Sequence, residues 1–249
     1  ADAISVPAYI TNQVSDHLHI LRDSGAKGAI VSGPALAKNL LPAAREAGLE
    51  FIISMVPLDA ADGGDTSSPA IHLWADLIAA QDEATPDTDA IARTDTACMI
   101  YTSGTGGTPK GVMLSHANMW LGAVSVANYL GVAADDVVLA VLPLSFDYGQ
   151  NQLLSTWYAG ACAVPLDYLF PRDVAKACAK YGVTTLAAVP PLWVQLTEIE
   201  WPAEAIAGIR RLTNTGGALT RELVRELRAL FPEARLFPMY GLTEAFRST

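Results

Sequence analysis

A chain of 249 residues, 51% hydrophobic, is long enough to enclose a large core or two lobes. Its formal net charge of −10, with no basic stripe, excludes nucleic acid as a partner and leaves any bound anion to local groups. Cys98, Cys162 and Cys178 are odd in number, far apart and without metal or CxxC spacing, so they read as reduced thiols in a cytoplasmic protein. No signal peptide stands at the start, and no apolar run reaches membrane-spanning length without Gly, Pro or charge.

In chain order, residues 4–9 form a short strand candidate. Residues 11–24 predict a helix, with Val14, Leu18 and Leu21 at helical spacing and Gly25 beyond the end. Residues 28–32 are a strand, 34–47 a helix closed by Gly48, and 51–56 another strand. This β-α-β-α-β order predicts a parallel sheet. Residues 59–69 are a polar loop, and 71–81 predict a short helix. The acidic stretch 82–95, with Pro86, is the best lobe boundary. It divides the chain into a first α/β lobe with its linker (1–94) and a second lobe (95–249).

The second lobe opens with an apolar strand at 97–101, followed by a loop of glycines and hydroxyls ending in one lysine. Ser115 then caps a helix running from His116 toward Asn128. Strands are predicted at 137–142, 162–165, 184–188, 209–214 and 236–239. Helices alternate with them at 148–158, 172–180, 191–199 and 220–230. Thr220 is the N-cap of the last, with Glu222 in its first turn.

The organising stretch is the loop Thr102-Ser103-Gly104-Thr105-Gly106-Gly107-Thr108-Pro109-Lys110-Gly111. Glycines let backbone N–H groups approach an anion, hydroxyls add donors for phosphate or magnesium, and Lys110 adds a compact positive charge. A surface turn uses the same residue types, but seldom so many of them after one strand. Walker A is excluded, because Pro109 precedes Lys110 and Gly111 follows it. The dinucleotide fingerprint is excluded too, since Pro109 stands at its third glycine.

Three more stretches follow predicted strands, where ligands of doubly wound sheets bind. They are Leu142-Pro143-Leu144-Ser145-Phe146-Asp147-Tyr148-Gly149, Asn214-Thr215-Gly216-Gly217-Ala218, and Tyr240-Gly241-Leu242-Thr243-Glu244. Taken singly, each has an ordinary explanation: core packing for Phe146, a helix cap for Asp147, turns for the other two. His17 and His19 sit on a predicted helix without a third ligand, and Ser115-His116 is not a nucleophile pair, because sequence neighbours do not thereby face each other.

The loop, read as Tyr-Thr-Ser-Gly-Thr-x-Gly-x-Pro-Lys-Gly-Val, resembles the signature of the AMP-forming adenylating superfamily. That group includes acyl-CoA synthetases, peptide-synthetase adenylation domains and luciferase. Gly106 departs from it, standing where a second Thr is usual. The three later stretches resemble the same family's motifs, in family order. Ser-Phe-Asp-Tyr-Gly and the ending Tyr-Gly-Leu-Thr-Glu-Ala-Phe-Arg-Ser-Thr are most similar to acyl-CoA ligases associated with bacterial exosortase systems.

The resemblance implies an α/β fold of two stacked, mostly parallel sheet lobes flanked by helices, part of the family's large N-terminal domain. It implies ATP-dependent activation of a small-molecule carboxylate to an acyl-adenylate, then thioester formation with coenzyme A or a carrier-protein phosphopantetheine arm. By resemblance, Thr102 to Thr108 and Lys110 hold phosphates. Gly216, Gly217, Ala218, Tyr240 and Gly241 hold adenine. Thr243 contacts the α-phosphate, and Glu244, with Thr105, binds Mg2+. Phe146, Asp147 and Gly149 shape the acid pocket. Asp147 has two open readings, a cap of the following helix or the partner of an amino acid's ammonium. The second belongs to an amino-acid-activating alternative, and a non-catalytic nucleotide-binding module is the third. The family's ribose-binding Asp, hinge and small C-terminal domain are not in the sequence, and residue 1 is not Met. The expectation is therefore a fragment with little or no activity alone.

Overall fold

The computed structural model describes residues 3–58, 69–81, 90–102 and 108–246. The chain divides into two compact units, Ala1–Met113 and Leu114–Thr249. Residues 82–89 of the acidic stretch expected as a lobe boundary lie outside the described residues.

In the first unit α1 (Val14–Ser24), β1 (Gly28–Val31), α2 (Pro34–Ala47) and β2 (Phe51–Ser54) follow one another as expected. Gly25 and Gly48 end the two helices in the left-handed region, at φ 65° and 74°, where glycine carries no Cβ penalty. α1 packs on α2, and Leu21, Leu40, Leu41, Leu49 and Ile52 close the core. The sheet is parallel in the order β1-β2-β3, with β3 at Ala70–Leu73.

That third strand corrects the helix expected over 71–81. Ile71 pairs with Ile52 in the ladder, and only Trp74–Ala79 is helical (α3). A short apolar run is ambiguous locally, and a free sheet edge decides it. The strand expected at 4–9 reduces to one parallel bridge, Ser5 to Cys98, on β4 (Thr96–Thr102). A second strand, β5 (Lys110–Ser115), pairs with β4 where the sequence suggested loop. Gly111 permits that pairing. A Cβ there would lie 2.6 Å from the Met99 sulfur and 3.1 Å from Cζ of Tyr101.

The second unit begins as β5 runs into Ser115, whose Oγ accepts from the Asn118 N–H at 3.2 Å and starts α4 (His116–Leu130). Then come β6 (Val137–Ala140), α5 (Asp147–Tyr158), β7 (Cys162–Pro165), α6 (Pro171–Tyr181), β8 (Thr185–Ala188) and α7 (Pro190–Thr197). The sequence reading missed α8 (Ala203–Gly208), which precedes β9 (Arg211–Asn214), α9 (Arg221–Leu230) and β10 (Arg235–Pro238). Thr220 caps α9 as expected, accepting from the Leu223 N–H at 3.1 Å.

All pairings in this unit's sheet are parallel, in the order β10-β9-β8-β6-β7. The fold is α/β with parallel sheets and flanking helices, as expected. β8 is buried at all four positions, as a strand covered on both faces must be. Leu139, Leu186 and Leu212 on adjacent strands pack with Trp193, Leu227 and Phe231.

The strands' N-terminal edge is stapled by Asp136. Its carboxylate accepts from the Ala133 N–H (2.8 Å), Thr184 Oγ1 (2.7 Å) and Arg211 (2.8 Å), and pairs with Arg210 at 2.7 Å. Burial alone would raise this carboxyl, but those hydrogen bonds and the Arg211 charge outweigh it and hold it below the ordinary value. Among the described residues no helix is long and apolar enough to cross a membrane.

Candidate functional site

Parallel strands share one C-terminal edge, and the register aligns it. Asn214 at the end of β9 lies opposite Ala188 of β8 and Pro238 of β10. Next to β8, Leu139 of β6 pairs with Leu186. The chain leaves β6 for β7 on one side and returns to β8 on the other, so strand order reverses between β6 and β8. Crevices at such reversals bind ligands. The segments after β6, β9 and β10 are the three stretches singled out from the sequence, and this edge brings them together.

After β6, a turn in which the Phe146 N–H donates to the Pro143 carbonyl at 3.0 Å leads into α5. Phe146 is the extended residue before the helix and packs, half-buried, on the core. Asp147 is the first helical residue, only 3% exposed, and its Oδ1 accepts from the Tyr148 N–H at 2.7 Å. A carboxylate there also meets the positive end of the helix dipole. The N-cap position itself belongs to Phe146 and carries no side-chain cap hydrogen bond, so Asp147 stands one residue inside the helix and not at the cap that the sequence suggested. Gly149 has a packing reason, since a Cβ would occupy the place of the Pro143 carbonyl oxygen. One residue earlier, buried Tyr148 hydrogen-bonds through its hydroxyl to Thr213 of β9 and ties α5 to the central sheet.

After β9, Gly216 adopts φ 75°, and the Asn214 amide donates to the Gly217 carbonyl at 2.8 Å, closing the turn. Cβ atoms on Gly216 and Gly217 would lie 3.1 Å from Val189 and 3.2 Å from Pro190. The turn is therefore backed by the end of β8, while Gly216, Gly217 and Ala218 are exposed. This is bare backbone on a firm support. Oδ1 of Asn214 is buried without a hydrogen-bond partner among the described residues.

After β10, the Met239 N–H donates to the Asn214 carbonyl at 2.8 Å, and Tyr240 then stands out 70% exposed. Gly241 leads to exposed Leu242 and a single 3-10 turn, Thr243–Ala245. Glu244 is exposed and makes no ion pair among the described residues. The segment is anchored by Phe246, fully buried, with φ 46°. A bulky residue in that region costs about 1–2 kcal/mol, so the surrounding contacts must hold it. They include Asn151, whose amide donates to the Phe246 carbonyl at 3.4 Å, and Asn118, which donates to the Glu244 carbonyl at 3.3 Å. Sequence reasoning missed Phe246. Its only sign there was an aromatic just beyond a polar motif.

The phosphate-loop candidates belong to the first unit. Thr102 ends β4 half-buried, while Thr108 and Lys110 are exposed on the way into β5. Ser103, Gly104, Thr105, Gly106 and Gly107 lie outside the described residues. Lys110 makes no ion pair among the described residues, which leaves its charge available to an anion. Both flanks of the loop touch α1. A ring N–H of His19 donates to the Pro109 carbonyl at 2.9 Å, and the Tyr101 hydroxyl donates to Asp23 at 2.6 Å. The two rings also meet edge to face, 5.9 Å apart. Burial first, and then Asp23, push the Tyr101 phenol well above its ordinary range, so it stays protonated and donates. His19 was set aside on sequence, and Asp23 was not singled out. Their four-residue spacing on one helix face was the available signal.

At the sheet edge of the second unit, the exposed Tyr240 ring, the bare backbone of Gly216 and Gly217 and the exposed Glu244 carboxylate are groups of the kind that suit a nucleotide and magnesium. No three His, Cys, Asp or Glu side chains gather into a metal cluster among the described residues. Magnesium needs none, since it commonly takes one or two carboxylates and completes its shell with phosphate and water.

The family model for AMP-binding enzymes matches residues 1–248. The chain is 32% identical over 164 residues to the 2-succinylbenzoate–CoA ligase of Arabidopsis thaliana, covering 65% of this chain and 29% of that protein. It is 32% identical over 207 residues to 4-coumarate-CoA ligase 1 of Narcissus pseudonarcissus, covering 80% of this chain and 37% of that one. Among solved structures, a benzoate CoA ligase from Burkholderia xenovorans LB400 superposes with a TM-score of 0.82 at 28% identity, covering 98% of this chain and 46% of the other. The chain thus spans less than half the length of each. With a family match over nearly its whole length, the chain belongs to the AMP-binding enzyme family.

Proposed function

We propose that this chain is the nucleotide- and acid-binding part of an AMP-forming acid–thiol ligase of the acyl-CoA synthetase type. The observation that carries the reading is the alignment of three strand-end stretches, after β6, β9 and β10, on one edge of one parallel sheet. In the first step a substrate carboxylate oxygen attacks the α-phosphorus of ATP. The bond to the bridging oxygen breaks, and pyrophosphate leaves. In the second, the thiol of coenzyme A, or of a carrier protein's phosphopantetheine, attacks the acyl carbon and AMP leaves.

No protein nucleophile is required for the first step. The side chains position groups and neutralise charge. Lys110, with Thr102 and Thr108 beside the loop, meets the polyphosphate. Tyr240 offers an aromatic face to adenine, with Gly216, Gly217 and Ala218 as the flat support. Thr243 contacts the α-phosphate, and Glu244 binds magnesium, which would draw charge from the phosphate oxygens. Phe146 and the first turn of α5 border the acid. The reaction belongs in the cytoplasm, where ATP and reduced thiols are available.

A second reading, activation of an amino acid, is favoured by Asp147, a buried carboxylate at the same edge. Carboxylate-dependent ATP–pyrophosphate exchange by the longest natural protein containing this chain decides between them. Exchange with non-amino acids supports the ligase and leaves Asp147 a helix-end role. Exchange with amino acids alone supports the second reading. No exchange with any carboxylate overturns both.

A further inference from the structure

We propose that Asn214 is a positioning residue that sets the spacing between the two stretches assigned to adenine. It ends β9, buried, and holds one stretch with its side chain and the other with its main chain. The side-chain amide donates to the Gly217 carbonyl at 2.8 Å, across the turn that carries Gly216, Gly217 and Ala218. The main-chain carbonyl accepts from the Met239 N–H at 2.8 Å, one residue before exposed Tyr240.

The turn needs such a hold. Gly216 and Gly217 have no side chains to fix them, and glycine backbone loses much conformational freedom when it is ordered. Val189 and Pro190 stand behind the turn, which stops movement toward β8 only. The Asn214 amide grips the turn by its carbonyl and so restrains it in the other direction. Asn214 is itself fixed. It lies opposite both Ala188 and Pro238 in the ladder, and the next residue, Thr215, donates its N–H to the Ala188 carbonyl at 3.3 Å. Ordering the turn and the Tyr240 segment before a base arrives removes part of the cost of binding.

The residue type points the same way. A buried strand end ordinarily takes an apolar side chain. Asn214 instead keeps a carboxamide whose Oδ1 is buried without a hydrogen-bond partner among the described residues. A buried acceptor with no donor destabilises a fold. What the carboxamide does supply is the N–H to Gly217.

The inference rests on reading Gly216 to Ala218 and Tyr240 as the adenine site, and the test separates the two. Calorimetric titration with AMP is run on the longest natural protein containing this chain, as wild type, Asn214→Leu, Asn214→Ala and Tyr240→Ala. Circular dichroism confirms that each variant is folded at the titration temperature. The expectation is a Kd for AMP raised roughly three- to tenfold in both Asn214 variants, the size of one lost hydrogen bond. In exchange assays the KM for ATP rises with it, while the KM for pyrophosphate, which carries no base, stays at wild type. Asn214→Leu is of similar size and lacks the unpartnered oxygen, so its melting temperature is expected at or above wild type while its affinity falls. A merely structural role would lower the melting temperature and leave the Kd of the folded variants alone. Weakened AMP binding in Tyr240→Ala with wild-type Kd in the folded Asn214 variants overturns the positioning role by itself. A wild-type Kd in Tyr240→Ala overturns the adenine site and the positioning role together.

Discussion

The carbonyl oxygen of Phe246 occupies the space that a β-carbon on Gly122 would fill. A glycine in the middle of α4 thus lets the backbone that follows the Tyr240-to-Glu244 stretch press against that helix. In an open helix Gly→Ala gains about 1 kcal/mol. Here the added methyl meets backbone, which cannot step aside as a flexible side chain can. We expect Gly122→Ala to lower the melting temperature and weaken Mg-ATP binding, read by thermal unfolding and calorimetry. A stabilised variant with unchanged affinity would contradict this packing.

Phe246 should behave as the anchor of the same segment. Truncating a fully buried aromatic typically costs about 3–5 kcal/mol. Alanine keeps the Cβ and with it the strain of the left-handed backbone, so a loss within that range is expected. Chemical denaturation measures it. A loss well under 1 kcal/mol would mean that the segment is held by other contacts.

At the start of α5 two substitutions in the first turn should part company. Gly149→Ala places its methyl on the Pro143 carbonyl, and unfolding at lower temperature is expected. Asp147→Asn keeps an oxygen that can accept from the Tyr148 N–H and loses only charge at the helix end, worth about 0.3–1 kcal/mol. Under the ligase reading its exchange activity with non-amino carboxylates stays near wild type. A large rise in the KM of an amino acid would assign Asp147 to the substrate.

The Asp136 staple makes a pH prediction. Its carboxyl is depressed in the folded chain, so the stability it contributes is fully present above the unfolded value, about 3.9, and is lost as pH falls through the lower folded value. Asp136→Asn leaves Arg211 without this counter-charge, and breaking such a buried pair costs about 3 kcal/mol at neutral pH. Denaturant titrations at pH 7 and pH 3 should show the gap between wild type and variant narrowing in acid. A gap that widens in acid would reverse the assigned sign.

The cysteines differ in accessibility. Cys162 is exposed, while Cys98 and Cys178 are buried, and burial pushes the Cys178 thiol up to about 12. A thiol-reactive dye at pH 8 should modify Cys162 quickly in the folded protein, and Cys98 and Cys178 only after unfolding. Rapid native labelling at Cys178 would place it at the surface.

What the sequence determined by itself was local, or written in contiguous motifs. Gly25 and Gly48 end their helices, and Ser115 and Thr220 start theirs, because capping depends on residues within one turn. The central strands were legible as apolar runs, and the family as a loop signature. Tertiary structure decided what local pattern leaves degenerate. Ala70–Leu73 became a strand because β2 had an edge to fill. Residues 4–9 found only one bridge. Pairing with β4 made Lys110–Ser115 a strand. At the candidate site the motif residues were readable, but their supports were not. His19 with Pro109, Asp23 with Tyr101 and Gly122 with Phe246 are contacts between residues 78 or more positions apart. No local periodicity records such contacts, since only the folded chain brings their partners within hydrogen-bond or van der Waals reach.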